Sequence, residues 1–239
     1  MKKIIVVMPA YDVGKKVETV FKRVPESILK KISKFIVVND GSTDNTANIL
    51  KLLSKSYKIK VISHNPNKGY GAAQKSGLKE ALRMKADIVV LLHSDGQHAP
   101  EVMDNLLYPI EKNQADVVQG SRILGGKALK EGMPMYKYFG NRILTFIENL
   151  SYGMNMAEYH SGYMVYSRKT LETIPFEKLT DKFHFDGEML LVAKKKGLRI
   201  KEIPIPTKYA EEKSHLNPIT YGIEVLKTII NYWRGKYNL

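Results

Sequence analysis

The sequence contains no cysteine. Disulfides, thiolate metal sites and a cysteine nucleophile are therefore excluded, and the composition fits a cytoplasmic enzyme. No uninterrupted apolar run approaches the roughly 20 residues that a membrane-spanning helix needs. The opening "MKKIIVVMPAYD" has a basic start but only a short apolar run and no small-residue cleavage site, so it reads as a strand and not as a signal peptide. Internal repeats, low-complexity tracts and clear linkers are missing too, which predicts a single domain over residues 1–239. Acidic residues are few beside basic ones: 24 Asp+Glu against 38 Lys+Arg, a net charge of +14. That surplus fits a phosphate-bearing partner, whether nucleotide, nucleic acid or anionic membrane, or else a lysine-rich solvated surface.

What is present is a regular alternation. Lys3 to Ala10 is a β-branched run ending near Pro9, a strand buried on both faces. "DVGKKVETVFKRVPESI" follows with Val13, Val17, Val20, Phe21 and Val24 at helical spacing. Then come the strand "KFIVVND", a helix entered through "GSTDNT" with Asp44 or Ser42 as cap, the strand "IKVISHN", and a glycine-rich entry "NKGYGAAQKSG" into a third helix. "ADIVVLL" is a fourth strand, "PEVMDNLLYPIEKN" a helix, and "ADVVQGSR" a fifth strand. From Ile123 the pattern changes to a glycine-rich loop, an aromatic-rich helix, a strand and helix in "EYHSGYMVYSRKTLETI", the helix "FDGEMLLVAKKKG", and the strand "LRIKEIPIPTKY", whose prolines suggest a sheet edge. Strands alternating with helices predict an α/β fold with a mainly parallel sheet flanked by helices. Such sheets bind ligands at the carboxyl ends of their strands. The polar residues just past each strand are thus the ones to watch: Tyr11, Asp12, Asp40, His64, the segment His93 to Gln97, and Arg122.

Each of these residues has two readings. Asp40 can accept from a ligand N–H or close a capping turn. "NKGYGAAQKSG" lacks the Lys-Ser/Thr end of a phosphate loop and follows the third strand, so it reads as a tight turn that lets backbone approach a nucleotide. Lys68 contacts that nucleotide or is solvated. His93, Asp95 and Gln97 form a ligand set for a divalent cation, or His93 is a strand-end histidine and His98 a turn residue. Arg122 can hold phosphate bidentately or form an ion pair. Asp186 and Glu188 are spaced by two at a helix start and do not share a face.

Taken in order, "PAYDVGKKV", "IVVNDGSTDNT", "NKGYGAAQKSGLKEA", "DGQHAPE", "GSR" and "FDGEML…IKEIPI" resemble the family 2 glycosyltransferases of GT-A fold. Among them, the polyprenyl-phosphate sugar transferases are the closest in look. The resemblance implies a nucleotide-sugar half over 1–122, an acceptor-side half over 123–210 and a C-terminal helix over 211–239. It implies donor contacts from Pro9, Tyr11, Val13, Val38, Asp40, Lys68, Ser94, Asp95 and Arg122, with Tyr11 stacking on the base. Val13 stands where mannosyl members carry an acidic residue. It implies a divalent cation, Mn2+ or Mg2+, held by Asp95 with His93 and Gln97. Because His93 replaces the family's first aspartate, the expected preference shifts toward manganese. Asp186 becomes a general base, a sugar-hydroxyl binder or a helix N-terminal charge. The late loop with Lys208 and Lys213 resembles the family's basic loop that reaches back to the donor phosphates. Separately, the glycines and length of "GGKALKEGMPMYKY" suggest a mobile loop closing over the donor, whose Lys127, Lys130 and Lys137 bind an acceptor phosphate or keep the loop solvated.

The implied activity is an inverting transfer of a hexose from a UDP- or GDP-linked donor to a polyprenyl phosphate. One rival is transfer to a sugar or protein hydroxyl. The other is a nucleotide- or nucleic-acid-binding protein without transfer. Its charge fits, but aromatic residues are not interleaved with basic ones as single-strand binding requires, so no nucleic-acid partner is expected. The last helix carries Ile219, Ile223, Leu226, Ile229, Ile230 and Trp233 on one face. That face can pack on the domain, on a second subunit in a homo-oligomer, or on the cytoplasmic face of a membrane.

Overall fold

The computed structural model describes residues 2–206 and 218–239. Among these, seven strands form one sheet: β1 (Ile4–Ala10), β2 (Ile32–Asp40), β3 (Ile59–His64), β4 (Ile88–Leu91), β5 (Val117–Ser121), β6 (Met164–Ser167) and β7 (Ile200–Pro204). The helices are α1 (Gly14–Arg23), α2 (Glu26–Lys31), α3 (Thr46–Leu53), α4 (Tyr70–Arg83), α5 (Met103–Glu111), α6 (Met135–Tyr152), α7 (Arg168–Thr173), α8 (Phe185–Lys195) and α9 (Pro218–Trp233).

The strand order is β3-β2-β1-β4-β6-β5-β7. Every neighbouring pair is parallel except those of β6, which runs antiparallel between β4 and β5. The mainly parallel sheet is thus observed, and β7 lies at an edge as its prolines predict. The strand in "EYHSGYMVYSR" was legible, but nothing local to it set its direction.

β1 shows why both faces must be covered. Ile4, Val6 and Met8 enter one apolar layer with Val17, Phe21 and Leu107. Ile5 and Val7 enter the opposite layer with Leu78, Tyr166 and Leu190. Each fully buried aliphatic side chain contributes roughly 1.5–3 kcal/mol. The chain leaves β1 toward β2 on one side and β4 lies on the other, which opens a crevice at the carboxyl edge. The first predicted helix is broken in two. Pro25 has no N–H to give the helix, and Val24 before it is extended at φ −67° and ψ 118°.

Candidate active site

The carboxyl edge of the sheet opens into a cleft of about 620 Å³. Its floor begins at the ends of β1 and β2, crosses the end of β4, and runs to β5, α6 and α8. Pro9, Tyr11, Val13, Asp40, His93, Ser94, Asp95, Gln97, Arg122 and Asp186 all line it. Two expected contacts do not. Val38 is fully buried between β2 and α4, because its position on the strand points it into the core. Lys68 is exposed and does not line the cleft; its backbone amide is the part that works, donating to Asp40 Oδ1 at 3.0 Å. Lys208 and Lys213 lie outside the described residues.

Asp40 is buried, and its carboxylate is heavily used inside the chain. Oδ1 meets His64 Nδ1 at 2.6 Å and Oδ2 accepts from the Gly69 amide at 2.9 Å. With the Lys68 amide these bonds leave a carboxylate little more than one free lone-pair direction. Asp40 therefore also clamps the turn that enters α4. The glycines of that turn have a different reason from the one expected. A Cβ at Gly69 would lie 2.7 Å from the carbonyl oxygen of Asp181, and one at Gly71 2.5 Å from that of Thr180. The backbone that approaches is the 180–181 segment, bonded through the Gly71 amide to Asp181 O at 2.8 Å. Asp12 plays a matching part at β1. It sits at φ 47° and accepts from the Thr43 amide at 2.7 Å, a bond that lowers its pKa against the raising effect of burial.

At the end of β4, Ser94 is buried with an unpartnered hydroxyl at the cleft. Asp95 Oδ1 accepts from the Gln97 amide at 2.9 Å, closing a short turn. His93 does not stand free beside them. Its Nε2 is 2.6 Å from the Tyr70 hydroxyl, which lies 2.7 Å from Asp186 Oδ2. Tyr70 has one proton to give. With that proton on the Asp186 side, His93 Nε2–H donates to the tyrosine oxygen. Nε2 is thus committed to Tyr70, and Nδ1 is the ring nitrogen left to His93 as a ligand atom. His98 is a buried ring stacked on Tyr163 at 5.1 Å, its pKa lowered well below the ordinary value by burial.

Asp186 is buried, accepts from Tyr70 and from Gln74 Nε2 at 3.2 Å, and has an unpartnered Oδ1. Burial raises its pKa, with the Tyr70 bond working the other way. Glu188 faces elsewhere, toward Tyr237 and the Thr180 amide.

Arg122 was expected to hold phosphate, but the structure pairs it with a residue the sequence did not single out. Glu158 is wholly buried and accepts from the Arg122 amide at 2.8 Å, from Nε at 2.9 Å and from Nη2. Asn141 adds a fourth donor at 2.8 Å. Burial pushes Glu158 up, but the guanidinium outweighs it and holds the carboxyl below the ordinary glutamate value.

α6 is built inside out. Its buried face is Asn141, Thr145, Glu148 and Tyr152. Its outward stripe is Met135, Tyr136, Phe139, Ile143, Phe146 and Leu150, each between 52 and 78 % exposed. α9 packs against it and exposes Ile219, Ile223, Leu226, Ile230 and Trp233, while Ile229 turns inward. Tyr136, Lys137, Gly140 and Leu144 of α6 also line the cleft, so this apolar surface runs to the cleft mouth. Lys127 and Lys130 do not line it. No helix among the described residues is long and apolar enough to cross a membrane.

Known proteins place this architecture. Residues 5–174 match the model of glycosyl transferase family 2. A UDP-N-acetylglucosamine–dolichyl-phosphate N-acetylglucosaminyltransferase of Methanococcus voltae is 34% identical over 223 residues, covering 88% of this chain and 87% of the relative. A dolichol-phosphate mannosyltransferase of Pyrococcus furiosus is 27% identical, covering 99% of this chain and 63% of its own. The fold is shared with glucosyl-3-phosphoglycerate synthase of Mycobacterium tuberculosis, solved with Mn2+, UDP and glucosyl-3-phosphoglycerate. That likeness has a TM-score of 0.69 at 19% identity, over 100% of this chain and 81% of the other.

Proposed function

Because the chain belongs to glycosyl transferase family 2 and is a glycosyltransferase, we propose that it moves a hexose from a nucleoside diphosphate to a polyprenyl phosphate held at a membrane surface. The observation that carries the acceptor is the inside-out α6. A helix that turns asparagine, threonine and glutamate inward and a phenylalanine–leucine stripe outward expects an apolar neighbour. With α9 it would rest in the interfacial layer and bring a lipid phosphate to the cleft mouth. The chain's surplus of positive charge favours an anionic surface.

In the cleft, Pro9, Tyr11 and Asp40 hold the base end, with the exposed ring of Tyr11 against the base. The buried, unpartnered Ser94 hydroxyl beside the Asp95 carboxylate fits an oxygen-ligated divalent cation on a pyrophosphate. Asp95 with Gln97 would hold it. When bound, such an ion offsets charge on the departing nucleoside diphosphate. An acceptor phosphate oxygen attacks the anomeric carbon as the bond to the diphosphate breaks, which inverts that centre in one displacement. The oxygen is already anionic, so no proton has to be removed. Asp186, braced by Tyr70 and Gln74, then serves to hold a sugar hydroxyl through its unpartnered Oδ1.

The hydroxyl-acceptor reading differs at this residue. Asp186→Asn should keep turnover on a short polyprenyl phosphate within about tenfold, whereas loss of a general base lowers rate by roughly 10²–10⁴-fold. A loss of that larger size in a radiolabelled transfer assay would move the reading to a hydroxyl acceptor. The membrane contact has its own test. Phe146→Glu and Leu150→Glu should each weaken flotation with anionic phospholipid vesicles by at least about tenfold, since each removes an apolar side chain worth roughly 1.5–3 kcal/mol. Unchanged flotation of the double variant would remove the membrane face from the proposal.

A further inference from the structure

Under the acceptor end of the cleft, three side chains converge that the donor chemistry does not use. Glu148 comes from the inward face of α6, His160 from the segment before β6, and His184 from the residue before α8. One ligand atom from each lies within 4.8 Å of the others. His160 Nε2 is 3.1 Å from Glu148 Oε2, and His184 Nε2 is 3.7 Å from Glu148 Oε1. All four of these atoms are buried without a hydrogen-bond partner. The other ring nitrogens meet one hydroxyl of α9: Tyr221 lies 2.8 Å from His160 Nδ1 and 3.3 Å from His184 Nδ1.

Counting protons shows what is missing. If both Nδ1–H groups donate to the Tyr221 oxygen, both Nε2 lone pairs face the carboxylate. If both Nε2–H groups donate to Glu148, two Nδ1 lone pairs compete for the single tyrosine proton. A mixed arrangement still sets one Nε2 lone pair against a carboxylate oxygen. With neutral imidazoles and an ionised glutamate, every arrangement leaves a buried conflict that one added positive charge removes.

We propose that Glu148, His160 and His184 bind a divalent transition-metal ion of the zinc class, with Tyr221 accepting from both imidazoles. The 3.1 Å contact of His160 Nε2 with Glu148 Oε2 is close to the edge of about 3.3 Å that a tetrahedron with bonds of about 2.0 Å requires, while His184 Nε2 lies 3.7 Å from the other carboxylate oxygen. Two imidazoles and one carboxylate select zinc over magnesium. Tyr221 takes the part that a hydrogen-bond acceptor plays behind metal-bound histidine, fixing each ring with Nε2 toward the ion. Gly187 belongs to the same construction. A Cβ there would lie 2.2 Å from the His184 ring, so glycine leaves that ring its place. The ion ties α6, the segment before β6 and α8 together, and α9 joins through Tyr221. It would hold the two apolar helices in register with the cleft. The site shares no residue with Asp95 and Gln97.

The test uses the full chain, purified without a polyhistidine tag, stripped by a chelator and titrated with cobalt(II) in the absence of nucleotide. The expected result is a single equivalent bound with the intense visible absorption of a tetrahedral ion, displaced by zinc, and a rise in unfolding temperature with zinc alone. Asp95→Asn should keep the signal, and Glu148→Gln should abolish it. Should Glu148→Gln not fold, Tyr221→Phe provides a milder variant whose affinity should fall about 10–100-fold. A wild-type chain that shows neither cobalt absorption nor a zinc-dependent shift overturns the proposal and leaves a proton as the added charge. Absorption that survives in a folded Glu148→Gln, or an affinity unchanged in Tyr221→Phe, overturns it as well.

Discussion

Asp95→Asn is expected to lower turnover by about 100-fold or more while leaving the unfolding midpoint of the free protein nearly unchanged. Asparagine keeps the oxygen that accepts from the Gln97 amide at 2.9 Å, so the turn at the end of β4 survives. What it removes is the negative charge at the centre of the cleft. Half-buried turn substitutions that keep their hydrogen bond usually shift stability by no more than ~0.5 kcal/mol. Fold and charge are thus separated in one variant. The second readout is a thermal-shift screen of UDP and GDP with and without manganese. Wild type should be stabilised by one nucleotide in the presence of metal, by roughly 2.7 kcal/mol at a hundredfold excess over Kd, and the variant should not. Undiminished turnover, or metal-dependent nucleotide stabilisation that persists in the variant, would remove Asp95 from the proposed ligand set. Magnesium and manganese should be compared in the same screen, because a His93 ligand, which only Nδ1 could supply, would favour manganese.

What could be read ahead of the structure has a physical pattern. Strands buried on both faces are continuous β-branched runs, and the turn residues after them mark the edge where ligands bind. Tyr11, Asp12, Asp40, Asp95 and Arg122 were marked by that rule alone, and all line the cleft. Pairings across the chain were not legible. Arg122 and Glu158 are 36 residues apart, and Tyr70 and Asp186 are 116 apart. Only folding makes them neighbours. α6 shows a subtler limit. Its period reveals two faces, and an apolar stripe ordinarily turns inward. Here the inward face is polar because Asn141 completes the Glu158 cluster and Glu148 faces two histidines. No periodicity reports that inversion. A single glutamate among aromatic residues, in "FIENL", was the one trace it left.

Glu158→Gln is the variant with the largest expected effect on stability. The wild-type carboxylate is wholly buried and takes the Arg122 amide, its guanidinium and Asn141 as donors. Glutamine keeps the shape but removes the charge, and it sets an amide N–H₂ against these donors. Breaking a buried ion pair from one side costs about 3–5 kcal/mol, because the remaining charge is left uncompensated. A urea titration near neutral pH should show that loss in the unfolding midpoint. The pH dependence follows from the direction of the shift. The folded pKa of Glu158 lies below the ordinary value of 4.5 because Arg122 outweighs burial. Its contribution is therefore complete above the unfolded value and is lost as pH falls through the folded one. The gap between wild type and variant should narrow on that acid side, as far as both remain folded. The same variant decides what Arg122 is for. If the guanidinium exists to neutralise Glu158, stability falls and donor affinity does not rise. If stability holds and affinity for a nucleoside diphosphate increases, Arg122 is a phosphate ligand that Glu158 restrains.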